Sequence, residues 1–172
     1  MKALSIYSEA RKKAGHSFSA AVEIELAHLA VVFYLNFGME EKALPWILEN
    51  YNRKIEGYRL DILYFSKLLF LVVHSDLGND DIVSRAIRST RKAMTKGDRL
   101  TPFVNQVLEF FTGLTKAPTS ERIGVYQQFA SAIEENSTEP LWQQMAHYFH
   151  FQAWAESRIG GVVMYDILKQ YF

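Results

Sequence analysis

Apolar residues recur every three or four positions along nearly the whole chain, and no stretch alternates apolar with polar residues for long enough to suggest a strand. Breakers at Gly15, Gly38, Gly57, Gly78, Gly97, Pro118 and Gly160-Gly161 cut this pattern into pieces of helical length. The pattern predicts nine helices, at residues 2–14, 18–37, 39–54, 58–77, 80–97, 102–114, 120–136, 140–158 and 162–171. Thr101-Pro102 opens one of them with a hydroxyl for the N-cap and a proline where a missing N–H is no loss, and Ser120 and Glu139-Pro140 open two others. Pro45 conflicts with a continuous helix over 39–54, because its ring clashes with the preceding turn and its nitrogen has no proton to donate. That helix is expected either to kink or to begin near Ala43. The paired glycines at 160 and 161 read as a hinge. The final segment lines up Val163, Ile167, Leu168 and Tyr171, a stripe that either closes the core or forms an interface between copies of the chain.

Length and composition fix the scale. With 172 residues, 49% of them apolar and 14% aromatic, the chain reads as a single helical domain over 1–172 with ample core. Lys and Arg number 19, as do Asp and Glu, so no net field draws the whole molecule to a polyanion, and no RNP or helix-turn-helix signature appears. Nucleic acid is therefore not an expected partner. The absence of cysteine excludes a disulfide framework, a thiol nucleophile, an iron–sulfur cluster and a thiolate zinc site. The opening Met1 to Glu9 places an acid where a secretory signal needs its apolar centre. The most apolar runs, Leu29 to Leu35 and Leu68 to Val73, fall far short of the roughly 20 residues a bilayer demands. A soluble, cytoplasmic chain with no membrane partner is expected.

Self-comparison at a fixed offset exposes a repeat. Gly38 and Gly78 lie forty residues apart, each after a long apolar helix and before one of mixed charge, giving repeat-like units over about 24–57 and 58–97 and a set of C-terminal helices over 98–172. In the first unit Tyr34, Gly38 and Ala43 hold the aromatic, turn-glycine and small positions of the tetratricopeptide repeat, which this segment resembles; the second keeps Gly78 but has His74 and Val83 at the other two. The resemblance implies an all-α fold, a short tetratricopeptide-like α-solenoid of stacked antiparallel helix hairpins with the C-terminal helices as a cap. It also implies a concave surface built from the first helix of each pair, with Glu25, His28, Val32 and Leu35 from one unit and Phe65, Leu68, Val72 and Ser75 from the next.

Three constellations are candidates for chemistry. Glu25 and His28 stand three apart on one helical face, the spacing of carboxylate-bridged metal sites, but a metal wants at least one or two more ligands than this pair supplies. His147 and His150 share a face in the same way, with no third ligand in sequence reach. Nucleophile elbows, phosphate loops and H-E-x-x-H are missing. Neither catalytic nor metal-ligating residues, nor a cofactor, are therefore assigned. The most distinctive charged segment is the fifth helix, where Arg85, Arg88, Lys92, Lys96 and Arg99 fall at steps of three or four with Arg91 alongside. Residues 79–99 hold six bases against three acids, whereas 100–172 hold seven acids against four bases. Asp80, Asp81 and Lys96 suit the helix macrodipole, which accounts for the ends of this segment but not for its middle. The expected function is non-catalytic: an interaction domain that holds a protein or peptide, acidic if it meets the Arg85–Arg99 face, along that face or the first-helix surface. The alternative is a regulatory or ligand-sensing bundle with an aromatic-lined pocket.

Overall fold

The computed structural model describes residues 19–171, so the helix expected over 2–14 and the break at Gly15 lie outside the described residues. Among the described residues the chain is all-helical, with α1 (Ala20–Asn36), α2 (Glu40–Asn52), α3 (Leu60–Asp76), α4 (Asp80–Lys96), α5 (Pro102–Leu114), α6 (Arg122–Glu135), α7 (Pro140–Ala146), α8 (Phe151–Gly160) and α9 (Met164–Leu168), and one turn of 3₁₀ helix (Thr119–Glu121) before α6. None of these helices is long and apolar enough to cross a membrane.

The forty-residue offset survives as geometry. Gly38 and Gly78 take left-handed φ values of 64° and 73°, where a side chain would be strained. Each closes its helix with the same pair of bonds. Gly38 N–H donates to Leu35 O at 3.2 Å and Met39 N–H to Tyr34 O at 2.9 Å; Gly78 N–H donates to Ser75 O at 3.0 Å and Asn79 N–H to His74 O at 2.9 Å. Ala43 and Val83, the matching positions of the second helices, are both fully buried. Helix pairs α1–α2, α3–α4 and α5–α6 pack internally, and α1 rests on α3 and α3 on α5, so the first helices stack in one layer. Helix α3 is buried nearly all round, with Leu68 through His74 inaccessible, as the central element of a stack must be. By contrast α4 buries only Val83, Ala86, Ile87, Thr90 and Met94, a single stripe.

Two sequence expectations need correction. Helix α2 starts at Glu40, not near Ala43, and runs on through Pro45. Glu41, whose carbonyl loses its helical donor, and Pro45 are both exposed, so water can replace the missing bond. The single helix expected over 140–158 is two, α7 and α8, with a non-helical step at His147–His150. No glycine or proline makes this break. Long-range contacts do: Tyr148 leaves the helical path so that its ring stacks on Phe65 (5.0 Å between centroids) and its hydroxyl donates to Asp61 at 2.8 Å. His150 then restarts the helix, its Nδ1 accepting from the backbone N–H of Ala153 at 3.1 Å. Tertiary contact has overridden local propensity.

The C-terminal helices occupy the layer formed by the first helices. Trp154, fully buried, sits among Phe110, Phe111 and Phe151, and its Nε1–H donates to Asp76 at 3.0 Å. Arg158 donates to the same Asp76 oxygen at 2.8 Å and to Glu40 at 3.1 Å, joining α8 to α3 and α2. Burial pushes the Asp76 carboxyl up to about 6 against the opposing pull of Arg158. After Gly161, which takes φ 62°, α9 returns to lie on α1 and α8, with Met164 buried and Val163 and Tyr165 exposed beside Phe37. Part of the C-terminal stripe thus closes the core.

Candidate functional site

The concave positions inferred from the repeat divide sharply. Leu35, Phe65, Leu68 and Val72 are buried, Val32 and Ser75 are half-buried, and only Glu25 is exposed. His28 is 6% exposed; its Nε2 lies 3.1 Å from the Tyr148 carbonyl and must therefore carry the proton, leaving Nδ1 buried without a partner. Burial lowers its pKa to about 4, so the ring is neutral at physiological pH. The reading of this layer as an open binding surface is corrected on these grounds: α7, α8 and Tyr148 fill it, and His28 and Leu35 cannot reach a partner. Glu25 pairs with Arg59 at 3.0 Å while His28 bonds to the Tyr148 carbonyl, so the two do not form an acid–base dyad. His147 and His150 are separated by the break between α7 and α8. Among the described residues no group of three or more His, Asp or Glu converges as a metal site would require.

The α4 face keeps its exposure. Arg85, Arg88, Lys92 and Lys96 are all exposed, and Arg88, Arg91, Lys92, Thr95 and Lys96 line one shallow open surface. Arg91 is half-buried and donates to Asn105 of α5 at 2.8 Å. Arg99 leaves the helical stripe, because the helix ends at Lys96 and Asp98 takes a left-handed φ of 53° that folds the chain back so that Arg99 N–H donates to Met94 O at 2.8 Å. It remains exposed, three residues beyond Lys96 and thus no more than about 11 Å from it in Cα position.

Pairing separates the arginines into two groups. Arg53 pairs with Glu23 and Glu49, Arg59 with Glu25 and Asp61, Arg122 with Asp80, and Arg158 with Asp76 and Glu40. Arg85, Arg88, Arg91 and Arg99 have no carboxylate partner among the described residues, and neither do Lys92 and Lys96. Among the described residues no carboxylate pairs with the charge concentrated on α4.

Beside Arg99 the first-helix layer opens into a pocket of about 140 Å³. Phe65 and Leu68 of α3, Met94 of α4, Val104 of α5, and Leu141 and Met145 of α7 form its apolar walls, with Arg99 and Asp61 among the groups that line it. Tyr64 also lines it, and its ring packs so closely on Gly97 that no β-carbon would fit there. Asp61 accepts from Arg59 through both oxygens, at 3.2 and 3.1 Å, and from the Tyr148 hydroxyl. Burial would raise its pKa, but the bonds from Arg59 and Tyr148 outweigh that and hold the carboxyl below its ordinary value. A second pocket, of about 210 Å³, has Phe103, Trp142, Phe149 and Phe151 in its walls.

Asp61, Tyr148, Leu141 and Met145 carry no local sequence signal as site residues, since Tyr148, Leu141 and Met145 reach Asp61 and the rest of α3 only across a separation such as the 87 residues between Tyr148 and Asp61. No family model, no curated protein and no solved structure matches the chain.

Proposed function

We propose that this chain is a non-catalytic interaction module of tetratricopeptide-like helical-repeat type that binds an acidic protein or peptide on the cationic face of α4, in the cytoplasm and without a cofactor. One observation carries the reading: the arginines of α4 and its C-terminal turn have no carboxylate partner among the described residues, while Arg53, Arg59, Arg122 and Arg158 are all paired. Guanidinium groups make bidentate contacts with carboxylates, and a row of them at helical spacing presents matching acceptors with a regular target. The neutral His28, bonded to the Tyr148 carbonyl, and the pairing of Glu25 with Arg59 lend no support to an acid–base mechanism.

Arg88→Glu combined with Lys92→Glu tests it. A fluorescent glutamate-rich peptide should bind the native protein with an affinity that falls as salt rises, and the reversed protein at least about tenfold more weakly, since like charges across the contact repel. Both residues are exposed, so the unfolding free energy should hold to within about 0.5 kcal/mol. Equal binding by the two proteins overturns the assignment. The ligand-sensing alternative has the aromatic pocket in its favour, but at about 210 Å³ it falls below the ~300–1,000 Å³ typical of small-molecule sites.

A further inference from the structure

The α4 face explains attraction to an acidic segment but not selection among acidic segments. Arg99 links that face to the pocket beside it, and the pocket is what remains of the first-helix layer after α7 and α8 have been laid into it. Its walls are apolar, and its volume of about 140 Å³ suits one large aliphatic or aromatic side chain, being close to the ~150 Å³ of a cavity that admits benzene. Its rim is electrostatically divided. On the α4 side stands Arg99, exposed and without a carboxylate among the described residues; on the α3 side stands Asp61, ionised and already holding three donated hydrogen bonds.

We infer that the partner is an acidic segment with a large apolar residue at one end of its acidic run, that this residue enters the pocket, and that the acids extend from Arg99 towards Lys96 and Lys92. This rests on the reading of α4 as the binding face. The polarity follows from the rim, because a carboxylate on the near side of the anchor meets Arg99, whereas one on the far side meets Asp61 and Glu25, two acids that share the single guanidinium of Arg59. An anchor in a desolvated pocket surrounded by weaker charged contacts is the usual distribution of binding energy at an interface.

The test starts from the native protein and short glutamate-rich peptides, with leucine or alanine placed at the N-terminal end of the acidic run in one pair and at the C-terminal end in another. In one of the two pairs leucine should bind about tenfold tighter than alanine, the gain expected from burying most of the difference between the side chains. Leu141→Trp, which fills the pocket from α7, should abolish that preference while leaving the alanine peptide bound as before. Arg99→Gln, at an exposed site where folding is not at risk, should weaken the leucine and alanine peptides alike. If leucine and alanine bind equally in both pairs while charge reversal on α4 still weakens them, the pocket proposal is wrong and the α4 reading stands. If no peptide binds the native protein, the α4 reading fails and the pocket proposal with it.

Discussion

Residues 20–97 and residues 98–171 reach stability by different routes. The first region consists of two hairpins of similar helices, and the hydrogen bonds at their turns repeat donor for donor at an offset of forty. The second has helices from 5 to 14 residues long, broken where a distant contact demands it, and its last members lie in the layer that the first region leaves open. A repeat pair cannot bury both faces of its first helix alone. Here the exposed layer is closed by the same chain, so the concave surface that the repeat would otherwise offer is turned into core, while the basic stripe of α4 stays outward. The difference shows that the repeat-like hairpins set the scaffold, while the segment that follows decides which face stays exposed.

The largest expected effect breaks the second region from the first. Trp154 is fully buried and its indole N–H satisfies Asp76, so Trp154→Ala should cost about 3–5 kcal/mol and leave a buried carboxylate with one donor fewer. Urea unfolding followed by far-ultraviolet circular dichroism should show a single transition at a lower midpoint if the two regions fold as one unit. Two separated transitions would mean that residues 20–97 stand alone and that the C-terminal helices are a detachable cap.

A pH effect of intermediate size sharpens the junction. His28 is neutral and buried with a pKa lowered to about 4, so its contribution to stability is fully present above the unfolded value near 6.5 and is lost as pH falls towards 4. Asp76 acts in the opposite sense: its folded pKa of about 6 lies above the ordinary 3.8, so its contribution is present at low pH and is lost as pH rises through 6. His28→Gln removes the first titration, and its amide can still donate to the Tyr148 carbonyl. The stability gap between variant and native protein should move in the variant's favour by up to about 1.4 kcal/mol per pH unit between pH 6.5 and 4.5. A gap that does not change with pH would show that the imidazole is not held neutral by this junction.

How much of this the sequence displayed depends on the range of the interactions involved. Turns set by one residue's backbone freedom, at Gly38 and Gly78, were readable, as was the cap at Thr101, whose hydroxyl accepts from Val104 N–H at 3.3 Å. The amphipathic stripe of α4 likewise placed Arg85, Arg88, Lys92 and Lys96 outward. What failed lay beyond local reach. Nothing near Tyr148 announces a break, because the groups that claim it, His28 and Asp61, belong to α1 and α3. Arg99 left the expected stripe because Asp98, not a glycine, took the left-handed turn. Which arginines are paired is also invisible in one dimension, since Arg158 finds Glu40 across 118 residues.

The smallest effect compares the two regions at a single atom. Gly38 and Gly78 share the same left-handed turn, so alanine at either should cost about 1 kcal/mol through backbone strain alone. A β-carbon at Gly78 would meet nothing within 4 Å, whereas at Gly38 it would lie 3.3 Å from Val163 Cγ1, just ahead of α9. Gly38→Ala should therefore destabilise more than Gly78→Ala, by a few tenths of a kcal/mol if Val163 yields and by more if it does not. The excess measures how firmly Val163, and with it the start of the C-terminal segment, is seated on the repeat. Thermal unfolding of both variants alongside the native protein reads the difference directly. Equal losses at the two glycines would show that residues 162–171 give way freely, and that the second region closes the first through α7 and α8 alone.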